Sequence, residues 1–117
     1  KKSLNGSKIL ILGVAYKQDI DDYRESPAIK VIEELEKEGA EVVFYDPFIP
    51  EYLTKDGRIK KGEPELTAKL VANSDLVIIT TAHSNVNYEF VQKHAKAIFD
   101  TKNVMKKINE RNNIEVL

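Results

Sequence analysis

Residues 8–14 decide the fold, because they form a short apolar run that ends at a glycine: Lys8-Ile9-Leu10-Ile11-Leu12-Gly13-Val14. Consecutive aliphatic residues with no alternating polar positions are typical of a strand that is buried on both faces. Strands of this kind belong to parallel sheets that are covered by helices on both sides. We therefore expect this run to be a central strand of an α/β sheet.

The sequence after this strand predicts a helix and then a second strand. Ser26 offers a capping side chain, and Pro27 stands at the first helical position, where its missing N–H costs nothing. Gly39 is a typical residue at which a helix ends. Apolar residues at helical spacing fill the segment between these signals, at Ala28, Val31, Ile32 and Leu35. Glu41–Tyr45 is the second predicted strand, stopped by Asp46-Pro47.

The rest of the chain continues this alternation of strands and helices. Residues 48–63 are predicted to be a loop with at most one helical turn. Further helices are predicted at Pro64–Asn73, Tyr88–His94 and Asn103–Glu110, and strands at Leu76–Thr80, Ala97–Phe99 and Ile114–Leu117. Such an order implies βαβ units with right-handed crossovers. We expect one α/β domain over residues 1–117, a three-layer α/β/α Rossmann-like fold with a mostly parallel sheet of about five strands.

The composition of the chain excludes several classes of function. The 117 residues suit a single domain, and 18 basic against 19 acidic residues give a net charge of −1. This balance gives no reason to bind nucleic acid or an anionic membrane. The absence of cysteine excludes a disulfide scaffold, a thiolate zinc site and a thiol nucleophile within this chain. The start lacks the apolar core of a signal peptide, and no run is long enough to span a membrane, so we expect a cytoplasmic location.

In such sheets, ligands bind beyond the carboxyl ends of the strands, where the strand order reverses. The first connection, residues 13–26, holds only Gly13 of the G-x-G-x-x-G turn that binds a dinucleotide, so NAD should not bind this domain in the usual way. Lys17 and Arg24 lie in it among three aspartates. They either bind a phosphate group or form a solvated loop with internal ion pairs.

Four other polar residues give weaker indications of function. Asp46 lies farther from Gly13 than the roughly 20 residues that separate a ribose-binding acid from its glycine turn, so we expect it to stabilise a turn. His83 and His94 have neither cysteine nor an i,i+4 partner, and we expect structural or surface roles and no metal site. Lys102 follows a strand end, where both a surface role and a ligand contact are open.

The residues from Gly13 to Ala28 carry a resemblance to a known family. Gly13-Val14-Ala15-Tyr16-Lys17, followed by Asp21-Asp22-Tyr23-Arg24-Glu25-Ser26-Pro27-Ala28, resembles the signature G-x-A-[FY]-K-x-x-x-D-D-x-R-x-S. That signature opens the C-terminal domain of the UDP-glucose/GDP-mannose dehydrogenase family. Tyr45-Asp46-Pro47 and Asp100-Thr101-Lys102-Asn103 also resemble family landmarks. The resemblance covers essentially the whole chain, and residues 20–28 are most similar to the UDP-N-acetyl-D-mannosamine dehydrogenases of that family.

The resemblance implies a UDP-sugar-binding domain, a C-terminal fragment of a longer NAD-dependent UDP-sugar 6-dehydrogenase. Such enzymes oxidise the C6 alcohol of a nucleotide sugar to a carboxylate, here UDP-N-acetyl-D-mannosamine to its uronate for polysaccharide or glycan precursors. It also implies that the catalytic cysteine and most of the NAD site lie in the missing N-terminal part, so this chain alone should be inactive. The alternatives are a UDP-glucose 6-dehydrogenase and a stand-alone α/β regulatory or binding module.

The family's site residues are carried over by position. Tyr16 and Lys17 match contacts to the UDP-sugar, and Arg24 matches an arginine that reaches NAD. Lys102 replaces a substrate-gripping arginine, which keeps the charge but loses the bidentate fork. Asp21 and Asp22 match an acidic pair that we expect to orient Lys17 and Arg24. The implied partners are the UDP-sugar, the rest of the same chain and, at full length, a second copy in a homodimer or higher oligomer.

Overall fold

The computed structural model describes residues 5–116, which form a five-stranded parallel sheet and a separate two-stranded antiparallel sheet. The strands of the main sheet are β1 (Lys8–Leu12), β2 (Glu41–Tyr45), β5 (Leu76–Ile79), β6 (Ile98–Asp100) and β7 (Ile114–Val116). The small sheet pairs β3 (Glu51–Leu53) with β4 (Ile59–Lys61). The helices are α1 (Pro27–Lys37), α2 (Ala68–Asn73) and α3 (Tyr88–His94). Leu117, at the end of the last predicted strand, lies outside the described residues.

Two hydrophobic cores, one on each face of the sheet, make three layers. Alternate residues of β1 point to opposite faces, so Ile9 and Ile11 pack with α1, whereas Leu10 and Leu12 pack with α2 and α3. All four side chains are almost completely buried. The predicted three-layer α/β/α fold is confirmed. Residues 9–12 are all apolar because helices cover both faces of β1.

The strand order β2-β1-β5-β6-β7 places the reversal between β1 and β5. From β1 the chain first adds a strand on one side and then crosses to the other side. The connections after these two strands therefore diverge and leave a crevice at their carboxyl ends. This crevice lies beside residues 13–26, the connection in which the sequence concentrates its charges. No helix between residues 5 and 116 is long and apolar enough to cross a membrane.

Residues 48–63 contain the β3–β4 hairpin, so the prediction of a loop with one helical turn was wrong. The hairpin is fixed by tertiary contacts. The ring of Tyr52 lies 5.3 Å from that of Phe44 and 5.8 Å from that of Tyr23. Gly62 allows this packing, since a Cβ there would lie 2.6 Å from the Phe44 ring. Lys60 donates to a carboxylate oxygen of Glu36 and to a strand β2 carbonyl, each at 3.0 Å.

The prediction of a helix over Asn103–Glu110 was also wrong, because this segment forms successive turns. Asn103 adopts a left-handed conformation with a φ of 56°, which interrupts a helix at its start. The Met105 amide donates to the carboxylate of Asp100, and the Arg111 guanidinium donates to the carbonyls of Met105 and Ile108. Contacts from the Asp100 and Arg111 side chains thus hold the backbone of this segment in its turns.

One predicted helix start differs from the structure, and one predicted capping residue makes a different contact. The helix predicted from Pro64 begins at Ala68, because Thr67 accepts a hydrogen bond from the Leu70 amide at 3.1 Å and caps it. Ser26 precedes α1 as predicted but makes no capping bond. Its hydroxyl donates to the Ala15 carbonyl at 3.4 Å, so it joins α1 to the connection after β1.

We predict that Gly13→Ala destabilises the domain by about 2–5 kcal/mol. Gly13 has a φ of 97°, and a Cβ there would lie 2.4 Å from the Thr81 Cβ. The left-handed conformation costs an alanine about 1–2 kcal/mol, and the overlap adds about 1–3 kcal/mol. Gly57→Ala is the matched control, since Gly57 has a φ of 87° with nothing within 4 Å of the new Cβ.

Urea denaturation measures the free energy of unfolding of both variants. Gly57→Ala should lose only the conformational part, about 1–2 kcal/mol. If both variants lose the same free energy of unfolding, the contact with Thr81 does not contribute to stability.

Candidate functional site

The candidate site lies at the carboxyl ends of β1 and β5. The Gly13 amide donates to the Tyr45 carbonyl at 3.0 Å and extends the pairing of β1 with β2 by one residue. On the other side, the Thr81 hydroxyl donates to the Ala15 carbonyl at 3.0 Å. The connection after β1 therefore starts from a fixed base between the two neighbouring strands.

Asp46 occupies the centre of this base. Its side chain is fully buried. One carboxylate oxygen accepts the amides of Val14 and Ala15, at 2.8 and 3.1 Å. The other accepts the amides of Phe48 and Ile49, at 2.8 and 3.2 Å. The predicted turn role is confirmed by the second pair, and the first pair also ties the end of β2 to the connection after β1.

His83 lies between Asp46 and the first connection, with only 1% of its surface exposed. Its Nε2 is 2.9 Å from the Asp46 carboxylate, and its Nδ1 accepts the Asp19 amide hydrogen at 2.8 Å. An amide N–H can only donate, so Nδ1 carries no proton and Nε2–H donates to Asp46. The expected structural role of His83 is confirmed by these contacts, and it joins three segments of the site.

Asp19 binds the connection after β5 rather than a lysine of its own loop. Its carboxylate accepts the Ser84 amide and the Ser84 hydroxyl, both at 2.8 Å. These two hydrogen bonds favour the charged form and lower the pKa of Asp19. Residues 19 and 83–84 thus form a second junction between the connections after β1 and β5.

Arg24 forms a bidentate ion pair with Asp22. Its Nε and Nη2 lie 3.0 and 2.9 Å from the two carboxylate oxygens. These bonds, together with the bond from the Arg24 amide, lower the pKa of Asp22 to about 2. The Arg24 side chain is 84% exposed, and its Nη1 makes no hydrogen bond within residues 5–116. The expectation that an aspartate orients Arg24 is supported for Asp22.

Lys17 extends from the same connection without an ion pair among the described residues. Its Nζ lies 5.8 Å from the centre of the Tyr16 ring, which is 49% exposed. No hydrogen bond or ion pair joins Asp21 to Lys17 in the described structure, so the expectation that this acid orients the lysine was wrong. Tyr16 and Lys17 together present an aromatic face and an ammonium group to solvent.

Lys102 lies at the same edge, in the turn after β6. The buried carboxylate of Asp100 accepts the amides of Lys102 and Met105, at 3.0 and 2.9 Å. The Lys102 side chain itself is exposed. Because β6 is two strands from β1, the two strand ends are about 10 Å apart. The structure thus places all four predicted site residues, Tyr16, Lys17, Arg24 and Lys102, at one edge of the sheet.

The sequence patterns did not predict how this edge is held. Asp100 was expected only as part of a family landmark and His83 without defined contacts, although both follow predicted strands at the ligand-binding edge. That position was the available signal for them. Among residues 5–116, no group of three or more histidine or acidic side chains could hold a metal ion.

We predict that Arg24→Gln raises the pKa of Asp22 from about 2 toward its ordinary value of 3.8. Because pairing lowers the folded-state pKa, the pair stabilises the fold above pH 4, and this contribution disappears as the pH falls toward 2. The contribution is small because both side chains contact solvent. A carbon-13 NMR titration of the carboxyl groups measures the shift. Arg58→Gln, which removes the similar pair with Asp56, should leave Asp22 unchanged, and an unmoved Asp22 in Arg24→Gln contradicts the assignment.

Comparisons with known proteins show the family to which this chain belongs. A profile of the UDP-glucose/GDP-mannose dehydrogenase family, UDP binding domain, matches residues 10–107. A UDP-N-acetyl-D-mannosamine dehydrogenase of Pyrococcus horikoshii is 34% identical over 103 residues, which are 84% of this chain and 22% of that protein. A UDP-glucose 6-dehydrogenase of Rickettsia bellii is 32% identical over 114 residues, which are 90% of this chain and 26% of that protein.

A solved structure supports the same relationship. That of the UDP-D-ManNAc dehydrogenase from Pyrococcus horikoshii superposes with a TM-score of 0.72 and 29% identity, over 97% of this chain and 26% of the other. The chain therefore spans about a quarter of the length of the proteins it matches. The matched segment includes Tyr16, Lys17, Arg24 and Lys102. On these grounds the chain belongs to the UDP-glucose/GDP-mannose dehydrogenase family and corresponds to its UDP binding domain.

Proposed function

We propose that this chain is the UDP-binding domain of a longer NAD-dependent UDP-sugar 6-dehydrogenase that oxidises UDP-N-acetyl-D-mannosamine to its uronate in the cytoplasm. The observation that carries the proposal is the family match over residues 10–107, which includes the carboxyl ends of β1, β2, β5 and β6. The Pyrococcus horikoshii relative, by its name, supports the choice of sugar. The Rickettsia bellii relative supports UDP-glucose as the second candidate. A stand-alone regulatory module receives no support from these matches.

The exposed edge has the chemistry for a nucleotide sugar. The Tyr16 ring offers an apolar face to a sugar or base, and the Lys17 ammonium beside it is a mobile cation for the diphosphate. Lys102, in the turn after β6 at the same edge of the sheet, is a second cation for the ligand. Two lysines at one edge can contact both phosphate groups of a diphosphate.

NAD, when bound, supplies the hydride acceptor of the reaction, and the residues present fit a minor share of its site. Arg24 is exposed and keeps Nη1 free of hydrogen bonds within the described residues, so it can donate to a phosphate or ribose oxygen. The exposed ion pair with Asp22 orients the guanidinium and is weak enough for the group to move to this contact. The connection after β1 has only Gly13 where a dinucleotide turn needs three glycines, so the rest of the enzyme would bind most of the cofactor.

The test is the full-length enzyme assayed with UDP-N-acetyl-D-mannosamine and with UDP-glucose, following NADH. We expect kcat/KM to favour the first sugar by about tenfold or more, since a site built to bond a polar substituent discriminates strongly against its absence. The isolated 117-residue chain should form no NADH with either sugar, because it has no cysteine. Preference for UDP-glucose would select the second candidate, and activity of the isolated chain would contradict the domain assignment.

The two cations of the first connection should affect different substrates. In the full-length enzyme, Lys17→Ala should raise KM for the UDP-sugar about 10- to 150-fold, the equivalent of one charge-assisted hydrogen bond of about 1.5–3 kcal/mol. Arg24→Ala should raise KM for NAD⁺ and leave the sugar constant nearly unchanged. Arg24→Lys should restore little, because a lysine lacks the bidentate fork.

Lys93→Ala is the matched control, since Lys93 is an exposed lysine in the last turn of α3. It should leave both Michaelis constants within about twofold of the wild type. If Lys17→Ala and Arg24→Ala change both Michaelis constants by the same small factor, these residues contact neither substrate.

A further inference from the structure

We infer that His83 is a positioning residue that holds the connection carrying Tyr16, Lys17 and Arg24. It does so as a neutral ring in a single tautomer. The effect on ligand binding rests on the proposed function, whereas the effect on the connection itself does not. His83 lies on the connection after β5, on the other side of the switch point from the connection that it positions.

In the described structure, Asp19 makes every hydrogen bond from residues 17–21 to another element. Its amide donates to His83 Nδ1, and its carboxylate accepts two hydrogen bonds from Ser84. The Tyr16 amide closes the base of the loop on the Asp22 carbonyl at 2.6 Å. The position of Lys17 between these points therefore depends on the attachment of Asp19.

The backbone of Asp19 needs support from other residues to keep its conformation. Its φ is 62°, in the left-handed region that non-glycine residues rarely adopt. The hydrogen bond from its amide to the buried His83 ring fixes the backbone at this residue, while Ser84 fixes only its side chain. Loss of the Nδ1 acceptor would leave the backbone free to relax.

The His83 ring is held in one orientation. Nε2–H is directed at the buried Asp46 carboxylate, and the ring packs against Phe48 at a centroid distance of 4.9 Å. The Tyr88 hydroxyl donates to the His83 carbonyl at 2.8 Å, and burial raises the pKa of Tyr88, so its phenol keeps the proton that it donates. Asp46 thus sets which ring nitrogen is protonated, and this leaves Nδ1 as an acceptor for Asp19.

Two substitutions separate the two ends of this arrangement. In His83→Asn, the amide oxygen takes the place of Nδ1 and still accepts from Asp19. In His83→Gln, the amide nitrogen takes the place of Nε2 and still donates to Asp46, but nothing accepts the Asp19 amide. His94→Gln is the control, since His94 packs on the Phe90 ring at 4.7 Å, in α3.

Amide hydrogen exchange and nitrogen-15 NMR of the 117-residue chain without ligand provide the readout. We expect exchange of the Asp19 amide to accelerate about tenfold or more in His83→Gln and to stay within about threefold of wild type in His83→Asn. His94→Gln should match wild type. The imidazole spectrum of the wild type should show the Nε2–H tautomer of His83. An Nδ1–H tautomer, or equal exchange of Asp19 in the Asn and Gln variants, would overturn the inference.

Titration of the same variants with UDP then measures whether the position of the connection after β1 affects ligand binding. The dissociation constant for UDP should rise about fivefold or more in His83→Gln and less than twofold in His83→Asn. If wild type fails to bind UDP, the proposed function is contradicted while the exchange result still decides the role of His83. If His83→Gln releases Asp19 but binds UDP as wild type does, His83 holds the loop without positioning its ligand contacts, and the inference is overturned.

Discussion

The buried carboxylate of Asp46 is the interaction on which the site depends. It accepts four backbone amides and the His83 ring, from segments that are far apart in sequence. A buried charge without partners would cost several kcal/mol, and five donors compensate for that cost. These hydrogen bonds in turn hold each donor segment next to the carboxylate. The ends of β1 and β2 and the connection after β5 therefore adopt one arrangement together.

Asp100 repeats this arrangement at β6. The parallel sheet leaves backbone amides without partners beyond its carboxyl ends, and a buried carboxylate at a strand end accepts two of them. In both places the acid points inward and binds backbone, while a lysine nearby points outward. The edge therefore presents the ammonium groups of Lys17 and Lys102 to solvent, although the whole chain carries a net charge of −1. These two ammonium groups are available to an anionic ligand at this edge.

The two attachments of the first connection serve different groups. Asp22 holds Arg24 through a solvent-exposed ion pair, which is weak and easily exchanged for a ligand. Asp19 is held by the buried His83 and by Ser84, which fix the backbone near Lys17. The guanidinium thus keeps freedom to move, while the segment around Lys17 is placed by the core. This difference agrees with the proposed contacts of Arg24 with a cofactor bound elsewhere and of Lys17 with a ligand bound at this edge.

The sequence by itself determined the layers, the parallel sheet and the family, because these follow from short-range patterns. Runs such as residues 9–12, the Ser26-Pro27 helix start and the signature at residues 13–28 can each be read without knowing what packs where. Only the tertiary structure decided the β3–β4 hairpin, where Tyr52 packs on Phe44. It also decided the turns at residues 103–110, where the side chains of Asp100 and Arg111 form hydrogen bonds with the backbone of Met105. The same holds for His83, whose role arises from Asp46 and Asp19. Those partners lie 37 and 64 residues away, and no local pattern records which of them a folded chain brings together.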